Sequence, residues 1–114
     1  MSLLETIIAH GNRGRDFGDN KIACKDGFTL SVIAGRGTYC IPRPGWPFGE
    51  PRVPNDYPGP YTAVEVGFPS ERPEPWDEWV KYIDSAEDDP TDTVYGYVPV
   101  DMVRALVAAH GGET

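Results

Sequence analysis

The chain is poor in the residues that carry most enzyme chemistry. Its 114 residues include two cysteines, two histidines and two methionines. Cys24, Cys40, His10 and His110 form a set of two Cys and two His, but their spacing matches no zinc motif. No dinucleotide-binding fingerprint, phosphate-binding loop or metalloprotease helix is present. The acidic run SAEDDPTD, Ser85 to Asp92, lacks the central Gly and terminal Glu of an EF-hand loop, so a solvated acidic turn is expected. There is no apolar run near the ~20 residues of a membrane span, and Met1 to Ala9 lacks the basic flank and long apolar core of a signal peptide. The expectations are therefore a cytoplasmic protein with free thiols, no catalytic set, no cofactor and no metal.

What is abundant is glycine and proline, 13 and 12 residues. With 39% hydrophobic content, they predict one small domain with a large share of loops. The charge of −8 is unevenly placed. Seven acids balance seven bases from Met1 to Ser70, whereas nine acids against Arg72 and Lys81 leave −7 in segment 71–92. Such a sector disfavours phosphate binding there, and serves either solubility or a basic partner.

The clearest local signal is TVYGYVPVDMVRALVAAHGG, Thr93 to Gly112. Strand-forming residues run to Val98, with Tyr95 and Tyr97 placed on one face and Val94, Gly96 and Val98 on the other. Pro99 and Asp101 then suit a helix start, Val103, Leu106, Val107 and His110 follow at helical spacing, and Gly111-Gly112 stops it. At the other end, Ser2 and Glu5 form a capping box for a short helix that Gly11 ends. His10 and His110 both precede a glycine at a helix C-terminus, where the dipole favours an imidazolium.

Lys21 to Cys24 and Phe28 to Ala34 read as a hairpin about Asp26-Gly27, which would put Cys24 opposite Thr29. Phe28, Leu30, Val32 and Ala34 form its core face. In YTAVEVGF, Tyr61 to Phe68, the residues Thr62, Val64, Val66 and Phe68 are expected inward, with Glu65 outward beside a Lys or Arg. PWDEWVKYI, Pro75 to Ile83, predicts a short helix with Trp76 and Trp79 on the packed side. The fold class is α+β: a small antiparallel or mixed sheet of about four strands with N-terminal, middle and C-terminal short helices.

Segment 41–60 holds seven prolines with Trp46, Phe48 and Tyr57. Proline forbids regular helix or a central strand, and a loop of this length is usually functional or mobile. Its aromatics either bind a partner or fold back as a lid over the sheet. The candidate partner-binding residues are Trp46, Phe48 and Tyr57 with the acidic Glu87, Asp88 and Asp89. For the alternative, a nucleotide-like small ligand, the candidates are Arg13, Arg15, Tyr39 and Trp46, since Arg13 and Arg15 lie in a glycine-rich stretch that could cradle an anion. A third reading is a hydrolase or nuclease that uses acids with His10 or His110.

The phrases DGFTLSV (Asp26 to Val32), YCIPRP (Tyr39 to Pro44), YTAVEVGFPSERPEPW (Tyr61 to Trp76) and TVYGYVPVDMV (Thr93 to Val103) make up 40 of the 114 residues, outside the N-terminal helix and the middle of the proline-rich loop. In them the sequence resembles a group of small proteins encoded by phages of actinobacteria, including mycobacteriophages. The resemblance implies a non-structural phage product in the bacterial cytoplasm and carries no site residues with it. The leading expectation is a non-catalytic accessory protein that binds a host macromolecule.

Overall fold

The computed structural model describes residues 2–12 and 20–114. The chain runs α1 (Leu3–His10), β1 (Lys21–Ala23), β2 (Thr29–Ile33), β3 (Ala63–Gly67), α2 (Trp76–Trp79) with a 3₁₀ turn over Val80–Tyr82, β4 (Val94–Pro99) and α3 (Val100–Ala109). The strands form one antiparallel sheet in the order β1-β2-β3-β4. This is the α+β architecture expected from the sequence.

One face of the sheet is the core. The paired residues Ile22 and Leu30, Val32 and Val66, Val64 and Val98, and Val66 and Tyr95 all point into it and are buried. Leu4, Ile7 and Ile8 of α1 and Val103, Leu106 and Val107 of α3 join the same cluster. Trp79 from α2 sets its ring against Tyr95 at 5.6 Å, edge to face, and Trp76 meets the same ring at 6.4 Å. Burial pushes the Tyr95 phenol up to about 12, and its hydroxyl donates to the Pro90 carbonyl at 2.6 Å.

Four local expectations are corrected. In β4, Tyr95 and Val98 share the inner face, and Tyr97 turns outward. Val64 faces Val98 and Val66 faces Tyr95, so Gly96 and Tyr97 stand against Glu65 alone. This is a bulge, with Tyr97 at φ 57, and it reverses the alternation within the strand. In β3, Val64 and Val66 point inward as expected, but Thr62 and Phe68 are exposed. The strand ends at Gly67, and Phe68 at φ 49 turns the chain away. The β1–β2 turn takes three residues, so Ala23, not Cys24, faces Thr29. The Cys24 N–H donates to the Phe28 carbonyl instead. Finally, Ser2 Oγ accepts from the Glu5 N–H at 3.1 Å, yet the Glu5 carboxylate does not return to Ser2. It takes two bonds from Arg104 of α3, at 2.8 and 3.0 Å.

The segment from 110 to 114 closes the structure. His110 caps α3, stacks on Phe28 with centroids 3.8 Å apart, and places Nδ1 2.7 Å from Asp26 Oδ2. Glu113 pairs with Cys24, and its carboxylate accepts the N–H groups of Leu3 and Leu4 at 2.9 and 3.1 Å. A residue from the far end of the sequence thus caps the first helix. Among the described residues no helix is long and apolar enough to cross a membrane.

Candidate functional site

The proline-rich segment divides into two halves with different fates. Its second half docks on α1. The Tyr61 N–H donates to the Ile8 carbonyl at 2.8 Å, and the Gly59 backbone lies against the Ala9 carbonyl so closely that a Cβ would overlap it. Tyr57 is half-buried there, edge-on to Tyr61 at 5.5 Å, with its hydroxyl donating to the Pro60 carbonyl at 2.8 Å.

The first half does the reverse and presents its rings to solvent. Residues 39–41 cross the outer side of the sheet at the bulge. Ile41 pairs with Ala63, the Tyr97 N–H donates to the Tyr39 carbonyl at 2.9 Å, and the Tyr39 N–H donates to Glu65 Oε1 at 3.0 Å. Gly96 makes this crossing fit, because a Cβ there would come within 3.1 Å of the Tyr39 Cβ. Glu65 therefore serves a backbone donor, not the Lys or Arg expected beside it. Beyond Pro44 the chain turns through bonds from the Trp46 N–H to the Arg43 carbonyl and from the Gly49 N–H to the Trp46 carbonyl, both 3.2 Å.

These turns gather an aromatic patch around one cation. The Arg43 guanidinium carbon lies 4.4 Å from the Trp46 ring centroid and 5.1 Å from that of Tyr39, and Nη1 donates to the Tyr97 hydroxyl at 3.4 Å. Tyr39 and Tyr97 meet at 5.6 Å, Trp46 and Phe48 at 5.8 Å. Phe48 is 81% exposed, and Tyr39, Ile41, Trp46 and Tyr97 each keep about two-fifths of their surface in water. Of the six exposed large hydrophobic side chains among the described residues, only Phe68 stands elsewhere. Among the described residues Arg43 has no carboxylate partner, since the ion pairs join Arg72 to Glu74, Arg104 to Glu5 and Asp101, and His110 to Asp26. Ile41, Arg43, Trp46, Phe48 and Tyr97 line a shallow cleft of about 230 Å³.

The structure thus brings Tyr39, Trp46 and Phe48 together and leaves Tyr57 on the α1 side. Arg13 and Arg15 lie outside the described residues. Ile41, Arg43 and Tyr97 were not singled out in the sequence. Arg43, three residues before Trp46 and four after Tyr39, carried the only available signal, whereas Tyr97 depends on the bulge.

Part of the acidic sector is structural. Asp88 accepts from Thr93 Oγ1 at 2.7 Å. Asp89 accepts from the Thr91 N–H and hydroxyl at 2.9 and 2.8 Å, which hold its carboxyl below the usual range. Glu74 pairs with Arg72 and accepts the Trp76 N–H at the start of α2. Glu71, Asp77, Glu78, Asp84, Glu87 and Asp92 stand exposed. The sector adjoins the patch through a cleft lined by Tyr39, Tyr97, Gly96, Ile83 and Asp84.

The remaining titratable residues form a clasp. The Phe28 N–H and His110 both stabilise the Asp26 carboxylate and lower its pKa. Cys24 is buried and unpaired, and burial with the nearby Asp26 and Glu113 pushes its thiol up, away from nucleophilic thiolate chemistry. Cys40 is also free and buried. Among the described residues there is no group of three or more His, Cys, Asp or Glu that could hold a metal ion.

A scan against protein-family models found no match, and searches of curated proteins and of solved structures returned none either.

Proposed function

We propose that this is a non-catalytic binding protein whose working surface is the Tyr39, Ile41, Trp46, Phe48 and Tyr97 patch centred on Arg43. Its partner is taken to be a host protein in a bacterial cytoplasm, in keeping with the phage resemblance of the sequence. One observation carries this reading: among the described residues, five of the six exposed large hydrophobic side chains lie in one place, around a cation that forms no ion pair there. Contiguous exposed apolar surface of this kind marks interaction sites, and Trp, Tyr and Arg are the residues that dominate binding energy at interfaces. Arg43 stacked between rings is held ready to meet an acidic group, with the rings supplying apolar area. The exposed acids of the 71–92 sector provide a field that orients a partner carrying a complementary basic rim.

The test is affinity capture from an actinobacterial lysate at low and moderate salt, followed by titration of the purified partner. It compares the natural chain, Trp46→Ser with Phe48→Ser, and charge reversal at Glu87 and Asp92. A stoichiometric partner lost with the patch variant and bound more slowly by the charge variant supports the reading. A partner retained by the patch variant overturns it, as does a chain that captures nothing.

A further inference from the structure

An arginine side chain carries its N–H donors in a rigid planar fork. Among the described residues the Arg43 fork is engaged at Nη1 alone, which donates to the Tyr97 hydroxyl at 3.4 Å. Nε and Nη2 have no partner there, and neither is sealed from water, because the one buried side-chain nitrogen or oxygen without a partner is in Asn12. The edge of the guanidinium formed by Nε and Nη2 therefore meets solvent. Its two N–H groups run side by side and match the two oxygens of a carboxylate. Arg43 is half-buried, with the Trp46 and Tyr39 rings 4.4 and 5.1 Å from its guanidinium carbon, so little freedom is left to lose when that pair forms.

Three features narrow the source of that carboxylate. The cleft in front of Arg43 holds about 230 Å³, less than the roughly 300–1,000 Å³ of sites that enclose a small molecule. It has room for a side chain, and Phe48 and Ile41 beside it offer exposed apolar surface to a neighbouring residue, so a protein segment fits it better than a free acid. The second feature is the backbone. The N–H groups of Ile41, Gly45, Trp46 and Gly49 are bonded to carbonyls, and the prolines at 42, 44, 47 and 51 have none. No two successive N–H groups are thus free between Ile41 and Pro51, and the nest that captures a chain terminus is missing from this stretch. The third is Glu50, which lines the same cleft, exposed and in no ion pair among the described residues. A ligand with a run of acids would set one of them against Glu50, and like charges facing each other at an interface are penalised.

We infer, building on the protein-binding reading above, that the patch receives an internal segment of its partner that carries a single Asp or Glu next to a large apolar residue. The side-chain carboxylate accepts from Arg43 Nε and Nη2 together, and the apolar neighbour packs on Phe48 and Ile41. Glu50 sets the specificity by turning away segments with a second acid beside the first.

The test is selection of random peptides, displayed at the N-terminus of a carrier so that none has a free C-terminus, against the immobilised full chain. Selected peptides are then synthesised with amidated ends and titrated by amide chemical shift. They should share one acid beside an aromatic or long aliphatic residue. Replacing that acid by its amide should weaken binding about ten-fold or more, because a hydrogen bond to a charged group is lost; this comparison needs no change in the protein. Arg43→Lys keeps the charge without the fork and should also weaken binding, with an unperturbed spectrum of the free variant showing that it folds. A second acid placed beside the first should weaken binding to the natural chain and not to Glu50→Gln. Peptides that are lost with Phe48→Ser yet carry no acid, or tolerate its replacement by the amide, overturn the inference and leave the protein-binding reading standing. Failure to select any peptide, or peptides that bind Phe48→Ser unchanged, overturns both. A dimer in sedimentation that Phe48→Ser dissolves overturns the inference in favour of a second copy of this chain.

Discussion

Gly59 offers a direct test of how the proline-rich segment is held. Its φ is 97, a conformation that side-chain-bearing residues rarely adopt, and the Ala9 carbonyl occupies the place of a Cβ. Gly59→Ala therefore incurs two costs. The backbone cost is about 1–2 kcal/mol. The overlap is with main chain inside a helix, which cannot swing aside as a flexible side chain would, and overpacking of this sort costs about 1–3 kcal/mol. Gly37 isolates the first cost, since it has φ 83 with nothing within 4 Å of the place a Cβ would take. Gly37→Ala should lose about 1–2 kcal/mol and Gly59→Ala about 2–5 kcal/mol. The whole domain is worth roughly 6–17 kcal/mol by its size, so both proteins should fold. Urea denaturation gives the stability difference, and thermal melts should differ by roughly 4–12 °C. Hydrogen exchange at the Tyr61 N–H, bonded to the Ile8 carbonyl, reports whether the segment has come off α1. Equal losses for the two variants, with Tyr61 exchange unchanged in Gly59→Ala, would refute the docking of this segment.

Three further outcomes follow from particular contacts. Glu5, Asp26, Glu74 and Asp89 all have pKa values lowered in the folded state, through Arg104, the Phe28 N–H, Arg72 and the Thr91 N–H respectively. The unfolded chain therefore binds more protons near their ordinary values of about 4. Their stabilisation is complete above that pH and is lost as pH falls through the folded values. Glu5→Gln should flatten the acid limb of a stability profile between about pH 5 and 2, and an unchanged slope would contradict the Arg104 bridge. Glu113→Ala removes acceptors from the Leu3 and Leu4 N–H groups and should cost about 1 kcal/mol; chemical denaturation with no loss would show that α1 is capped otherwise. Phe48→Ser should alter stability by less than about 0.5 kcal/mol because the ring is exposed, while weakening the proposed partner by about 2 kcal/mol or more in a calorimetric titration.

The sequence by itself determined the elements and most of the core. Alternation in 28–34 and helical spacing in 103–107 are local properties, and a residue's period decides its face wherever the element stays regular. Proline likewise kept segment 41–60 out of helix and sheet without any tertiary information. Tertiary structure decided whatever depends on irregular backbone or on partners distant in sequence. The β4 bulge moved Tyr97 to the outer side, because one inserted residue reverses every later face. Room at Gly96 let Tyr39 cross the sheet, and this brought Arg43 under the rings of Tyr39 and Trp46. Arg104 claimed Glu5 from a capping box, and Glu113 took its place at the helix start. Tyr57 and Trp46, alike in a proline-rich sequence, parted because a close approach at Gly59 ties one half of the segment to α1, while the turns after Arg43 lift the other half into solvent.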